Sequence, residues 1–307
     1  MIAASSSAHG MSRTDWLSAL VVIVVWGLNF VVMKWGLATV SPLLLCALRF
    51  MAASLPFLLF VRPPKNLSWG LLAAYGLVQG VGQFGLLFTG MQLGMPAGMA
   101  SVVLQTQAFI TMLMAAALLG EKPQRWQWMG LTIAIAGLVL IGAAHGDGAT
   151  EMSLAGFVLT VGAAAMWAGS NLLTRVAARQ GPYEPVSFIV WTSLFPILPL
   201  FALSWWVEGA ESMLQQLQAF GLRELAVVAY LALLSTLLGY GLWTRLLQRY
   251  AASTVAPLSL LVPVIGLLSA MLLLGELPTG LQWLGTVGVL LGMVVNQFGG
   301  RWLRRRS

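Results

Sequence analysis

Ten apolar runs of about twenty residues, separated by short turns, leave this chain few folds to adopt. They cover roughly 16–37, 42–61, 69–92, 98–119, 126–144, 154–174, 186–206, 223–244, 253–274 and 280–299. A helix of about 20 residues crosses the roughly 30 Å hydrocarbon layer of a bilayer, whereas barrel strands are shorter and alternate in polarity. Only 8% of the residues are charged, against about 25% in soluble domains. A soluble domain of this size would need a far more polar surface. The expected class is an all-α integral membrane protein with ten transmembrane helices. Pro63-Pro64, the segment 94–98 and Gly181-Pro182 punctuate the runs. The longest connection, 207–222, carries Glu208 and Glu211 and is expected to hold a short interfacial helix.

Orientation follows from Lys and Arg. With a cytoplasmic N-terminus, Arg13, Arg62, Lys65, Lys122, Arg125, Arg175, Arg179, Arg245, Arg249, Arg301, Arg304, Arg305 and Arg306 all fall inside, 13 of the 16 basic residues. Lys34 and Arg223 lie near the outer side, where the loops carry Asp147, Glu151, Glu208 and Glu211. Both termini are therefore expected in the cytoplasm. The net charge of +7 reports topology and gives no reason to expect nucleic acid as a partner. The single cysteine, Cys46, excludes an internal disulfide; no metal-ligand cluster and no cofactor motif is present. Residues 1–10 lack the features of a secretory signal; they are expected to be a disordered tail, or translation starts at Met11.

The runs repeat. Residues 118–139 and 273–294 align without a gap at an offset of 155, with 10 of 22 positions identical, including Glu121/Glu276, Pro123/Pro278, Gln127/Gln282 and Trp128/Trp283. An odd number of spans, five, separates the copies, so the second enters the membrane upside down. At an offset of 141, Trp26 matches Trp167 and Lys34 matches Arg175. The expected organisation is a tail (1–15), a five-helix repeat (16–144), its inverted copy (154–299) and a basic tail (300–307). Inverted repeats of this kind are a transporter architecture, with the substrate held near the midplane between the halves. A duplicated membrane protein without transport is the competing reading.

Several segments carry a family resemblance: Val25-Trp26-Gly27-Leu28-Asn29-Phe30, Leu48-Arg49-Phe50, Gly94-Met95-Pro96-Ala97-Gly98, Gly120-Glu121, and 256–263 with Ala256-Pro257-Leu258-Ser259 and Val262-Pro263. Their order and spacing resemble the EamA family of the drug/metabolite transporter superfamily, from about Met11 to Trp302. The resemblance implies export across a bacterial inner membrane of small neutral or zwitterionic metabolites, amino acids and derivatives such as cysteine and O-acetylserine. A broader amino-acid or drug efflux carrier, and a membrane sensor or scaffold, are the alternatives. An intramembrane enzyme would need a catalytic pair or metal ligands inside the spans, but His9 and His145 lie outside them.

Polar residues inside spans are the candidates, since each needs a partner or a wet cavity. Arg49 is the only charged side chain well inside a span; it is either a carboxylate anchor or a structural Arg bonded to backbone carbonyls. Trp26 and Asn29, with Trp167 and Asn171, occupy related places in the repeats, as cavity lining or as helix contacts. Tyr75, Gln79 and Gln83 form a stripe at i, i+4 and i+8; Ser101 with Gln105, and Thr236 with Tyr240 and Thr244, form two more. Gln105 is preferred to Gln107, which points about 200° away. Pro257 and Pro263 flank Ser259 and are expected to break or bend span 9 near its middle. Glu121 and Glu276 are expected to cap their turns or to pair with Lys122 or Arg125. No Asp, Glu or His sits mid-span, so facilitated export or exchange fits better than a proton relay, with antiport through Glu121 left open. Gly285, Gly288 and Gly292 offer either a homodimer face or a contact inside the chain.

Overall fold

The computed structural model describes residues 11–146, 152–250 and 252–304. The expected tail at 1–10, the outer acids Asp147 and Glu151, and the basic Arg305 and Arg306 lie outside these. Ten apolar helices follow in order: α1 Arg13–Leu37, α2 Pro42–Phe57, α3 Trp69–Gln92, α4 Ala97–Leu119, α5 Arg125–Ala143, α6 Leu154–Gln180, α7 Pro185–Glu208, α8 Leu222–Arg249, α9 Pro257–Leu274 and α10 Gly280–Gly300. Among the described residues nine are long and apolar enough to cross a membrane; α2 is shorter. The expected second span to residue 61 is thus corrected. Pro56 lacks the N–H that would continue the helix, and the chain tightens into a 3₁₀ turn at Leu55–Phe57. The connection after α7 contains the expected short helix, Ala210–Gln218.

The two copies of the Leu-Leu-Gly-Glu turn close in the same way. Gly120 and Gly275 end their helices at φ +68° and +69°, a left-handed conformation that costs glycine little. The next residue's N–H reaches back six positions in each case, Glu121 to the Ala115 carbonyl and Glu276 to that of Ala270. Downstream, α5 and α10 pack glycine against glycine. A Cβ on Gly130 would sit 2.5 Å from the Gly292 carbonyl oxygen, and one on Gly137 2.5 Å from that of Gly285. The converse contacts have the same 2.5 Å separation. At the repeat offset Gly130 corresponds to Gly285 and Gly137 to Gly292. Each early glycine therefore meets the late glycine of the other copy, and the helices run antiparallel about a local two-fold axis. The glycines named above as a candidate dimer face are engaged inside the chain.

Distortions recur as well. Part of α3, Leu77–Phe84, and part of α8, Tyr230–Gly239, wind as π-helix. Helix α4 has a 3₁₀ turn at Leu104–Thr106 and the start of α9 another at Ala256–Leu260. Glycines 76, 80 and 82 lower the helical preference of α3. In α8 the Thr236 hydroxyl donates to the Leu231 carbonyl, five residues back, the spacing of a π turn. Span 9 changes winding between Pro257 and Pro263, from a 3₁₀ turn ending at Leu260 to α-helix from Leu261. Pro257 opens the 3₁₀ turn, and Pro263 is third in the α-helix Leu261–Leu274, where a first-turn N–H needs no intrahelical acceptor.

Long-range bonds fasten the helices in pairs that cross between copies. Tyr230 donates to the Val25 carbonyl, tying α8 to α1. At one end of that pair the Thr39 hydroxyl donates to Glu224; at the other, Arg249 and Tyr250 both reach Asp15. Helices α3 and α6 are joined likewise: Gln180 accepts from the Ser68 N–H, and the Ser153 hydroxyl bonds the Leu93 carbonyl.

Candidate functional site

Arg49 defines the site. Pro42 opens α2 at a first-turn position, and two turns later Arg49 is only 1% exposed. Its Nε donates to Thr236 Oγ1 at 3.0 Å and its Nη2 to Ser235 Oγ at 3.5 Å. The guanidinium carbon lies 4.0 Å from the centre of the Phe84 ring, where the face of the ring favours a cation. Its Nη1 is buried and has no partner. Two hydroxyls and a ring face do not neutralise a buried cation, and a buried donor without an acceptor is costly.

Around it is a pocket lined by Trp26, Asn29, Arg49, Gln83, Gln105, Trp167 and Tyr240, with Ser101 and Ser235. Phe30, Phe84, Leu87, Leu104 and Val262 complete the wall. Seven of the ten residues singled out from sequence as substrate-binding candidates thus share one cavity, drawn from six different helices. Trp26 offers a ring face only. The single N–H expected to serve a ligand is already donated to the Ser235 carbonyl at 3.1 Å. Its ring leans on Tyr240 at 5.0 Å between centroids. Gln105 donates to the Ser259 carbonyl at 3.2 Å, which ties the 3₁₀ turn of α9 to α4.

The structure takes three candidates elsewhere. Gln79 belongs to a neighbouring pocket with Tyr75, and donates to the Tyr240 hydroxyl at 3.0 Å. The stripe expected from Tyr75 to Gln83 is divided between two adjoining pockets, which share Phe84 and Tyr240. Asn171 donates to Gln107 Oε1 at 2.7 Å and to Thr111 at 3.2 Å. It fastens α6 to α4, as the helix-contact reading expected, while its Trp167 neighbour lines the cavity. Ser259 meets the site through its backbone carbonyl. Missed altogether was Ser235, whose carbonyl and hydroxyl engage Trp26 and Arg49. Helical spacing places it off the Thr236–Tyr240 stripe, and the forked guanidinium of Arg49 spans the two neighbouring hydroxyls.

The recurring glutamates have different partners from those expected. Glu121 pairs with Arg175 at 2.8 Å on an exposed face. Glu276 accepts from the Ala97 and Gly98 N–H groups, each at 2.9 Å, at the start of α4.

A membrane bundle with a polar pocket between inverted repeats has the architecture found in many transporters. The chain belongs to the EamA-like transporter family, whose model matches residues 16–143 and again 154–297. It is 46% identical over 292 residues to a Salmonella typhimurium protein named "Probable amino-acid metabolite efflux pump", covering 95% of this chain and 97% of that one. An Escherichia coli protein of the same name is 43% identical over 95% and 97%. A Streptantibioticus cattleyicolor "Probable terminal-alkyne amino-acid exporter" is 25% identical over 96% of both chains. A solved crystal structure covering 95% of this chain and 99% of its own superposes with a TM-score of 0.55 at 19% identity, a likeness of fold.

Proposed function

We propose that this protein exports amino acids and related zwitterions, cysteine and O-acetylserine among them, across a bacterial inner membrane with both termini in the cytoplasm. One observation carries the reading: the unpartnered Nη1 of Arg49 in the central pocket. A substrate carboxylate supplies the missing acceptor and the missing negative charge together, in a site dry enough for the pair to be strong. The names of the two relatives above 40% identity support the same substrate class. The test is a survey of growth-medium metabolites with and without overexpression, followed by flux of the leading compound from proteoliposomes. Accumulation of amino-acid metabolites outside the cell and saturable flux are expected. Binding without flux would favour a sensor and end this reading.

Alternating access is the proposed mode. Two copies related by a two-fold axis can exchange conformations, so that each state is the other inverted. Equivalent groups must then be in unequal contacts within any one state, and the glutamates are: Glu276 holds the start of α4 while Glu121 pairs with Arg175. On the charge-derived orientation Glu276 faces outward, and its release accompanies outward opening. Glu276→Ala is expected to raise labelling of a cysteine placed at Ser101, 1% exposed here, by an impermeant maleimide from outside by about tenfold, given two charge-assisted bonds lost. An unchanged labelling rate would show that this contact does not hold the outer side closed.

A further inference from the structure

Three buried polar atoms in the central pocket lack partners, and only one is a donor. Besides Arg49 Nη1 they are Asn29 Oδ1 and Gln83 Oε1. Asn29 is 7% exposed and Gln83 1%. The Asn29 amide nitrogen is directed to the Met33 sulfur at 3.6 Å, and its oxygen is without a partner. A carboxylate satisfies Arg49 and cannot satisfy two oxygens. Two of the lining donors are already engaged: the Trp26 N–H with the Ser235 carbonyl, and the Gln105 amide with that of Ser259.

We propose that Asn29 Oδ1 and Gln83 Oε1 form a subsite for the substrate's ammonium group, and that it selects α-ammonium carboxylates over carboxylates whose nitrogen is acylated. The subsite rests on the carboxylate reading of Arg49 and extends it to the other half of the zwitterion. An ammonium has three donors. Two meet the amide oxygens, and the charge lies among the ring faces of Trp26, Trp167 and Tyr240, which attract cations. The Phe84 face is already occupied by Arg49. Neutral amide oxygens suit this task better than a carboxylate would. A fixed negative charge beside Arg49 would form an internal ion pair and close the site to a zwitterion. What remains of the lining, Phe30, Leu87, Leu104 and Val262, is apolar and meets the variable side chain.

Two isomers make the test. O-acetyl-L-serine carries both charges; N-acetyl-L-serine has the same atoms but no ammonium. Each is measured as flux from proteoliposomes, in mildly acidic buffer where acyl migration is slow. Wild-type protein is expected to prefer the O-acetyl isomer by about tenfold or more, the worth of a charge-assisted bond in a dry site. Asn29→Leu with Gln83→Leu is expected to abolish that preference, the ratio of O-acetyl to N-acetyl flux falling to about one. A double variant that keeps the preference overturns the subsite. If that variant fails to elute as a folded protein, Asn29→Asp with Gln83→Glu keeps the shape, and is expected to admit O-acetyl-L-serine methyl ester, which has an ammonium and no carboxylate. Exclusion of the ester by this folded variant also overturns it. Failure of the underlying reading looks different: wild-type and Arg49→Met proteins would carry O-acetyl-L-serine and its methyl ester equally well.

Discussion

Arg49→Met is expected to lower amino-acid efflux by about a hundredfold while the protein keeps its fold. The two halves of this result have separate causes. Loss of a charge-assisted contact to a desolvated carboxylate is worth roughly 1.5–3 kcal/mol, or about 10- to 150-fold. Stability goes the other way. Arg49 is buried with no carboxylate among its contacts, one nitrogen unpartnered and the others on hydroxyls. Replacing a poorly compensated buried charge by an apolar side chain of similar length is often neutral or stabilising. Arg49→Met should therefore unfold in detergent at or above the wild-type temperature. Arg49→Lys keeps the charge but loses the fork that reaches Thr236 and Ser235, and is expected to recover less than about a tenth of the flux. Unimpaired export by Arg49→Met would remove Arg49 from the substrate site. A fall in its unfolding temperature would assign the residue to packing.

Gly137→Leu is expected to prevent accumulation of folded protein. Its Cβ would lie 2.5 Å from the Gly285 carbonyl oxygen and 2.7 Å from the Val289 nitrogen. Both are backbone atoms and cannot turn aside as a side chain can. Overpacking in a tight core costs about 1–3 kcal/mol and more when backbone must move. Here it separates α5 from α10 along the whole glycine seam, since Gly130 and Gly292 repeat the contact. Gly280→Leu is the control: the position is helical with nothing within 4 Å of an added Cβ, and it should be tolerated. Size-exclusion profiles of fluorescently tagged proteins distinguish the two. A monodisperse Gly137→Leu peak at wild-type height would show that the seam is dispensable.

The class of fold was legible because it depends on composition along the chain. Runs of apolar residues long enough for a bilayer, and turns marked by Pro and Gly, need no knowledge of what packs where. The repeat was legible because its turn is short and local: Gly120 and Gly275 close identical caps. The candidate pocket was partly legible, since a polar side chain in an apolar span requires a cavity or a partner. That rule selects residues but does not choose between the two outcomes. Asn29 and Asn171 satisfy it equally, yet one keeps an amide oxygen without a partner and the other is bonded to Gln107.

What stayed hidden depends on backbone register and on neighbours distant in the chain. Gln79 and Gln83 were expected on one face, and the packing of neighbouring helices puts them in two adjoining pockets. Glu276 looked like a local cap, and its acceptor atoms face Ala97 and Gly98, 179 and 178 residues earlier. Glycines 285, 288 and 292 read equally as a surface for a second copy or an internal seam. Apolar periodicity records that a face is covered but not what covers it. A bilayer protein's residue sequence thus determines the number, length and polarity of its helices, because each is set by local transfer to lipid. Which polar atoms end without partners, and so await a ligand, is decided only when the helices pack.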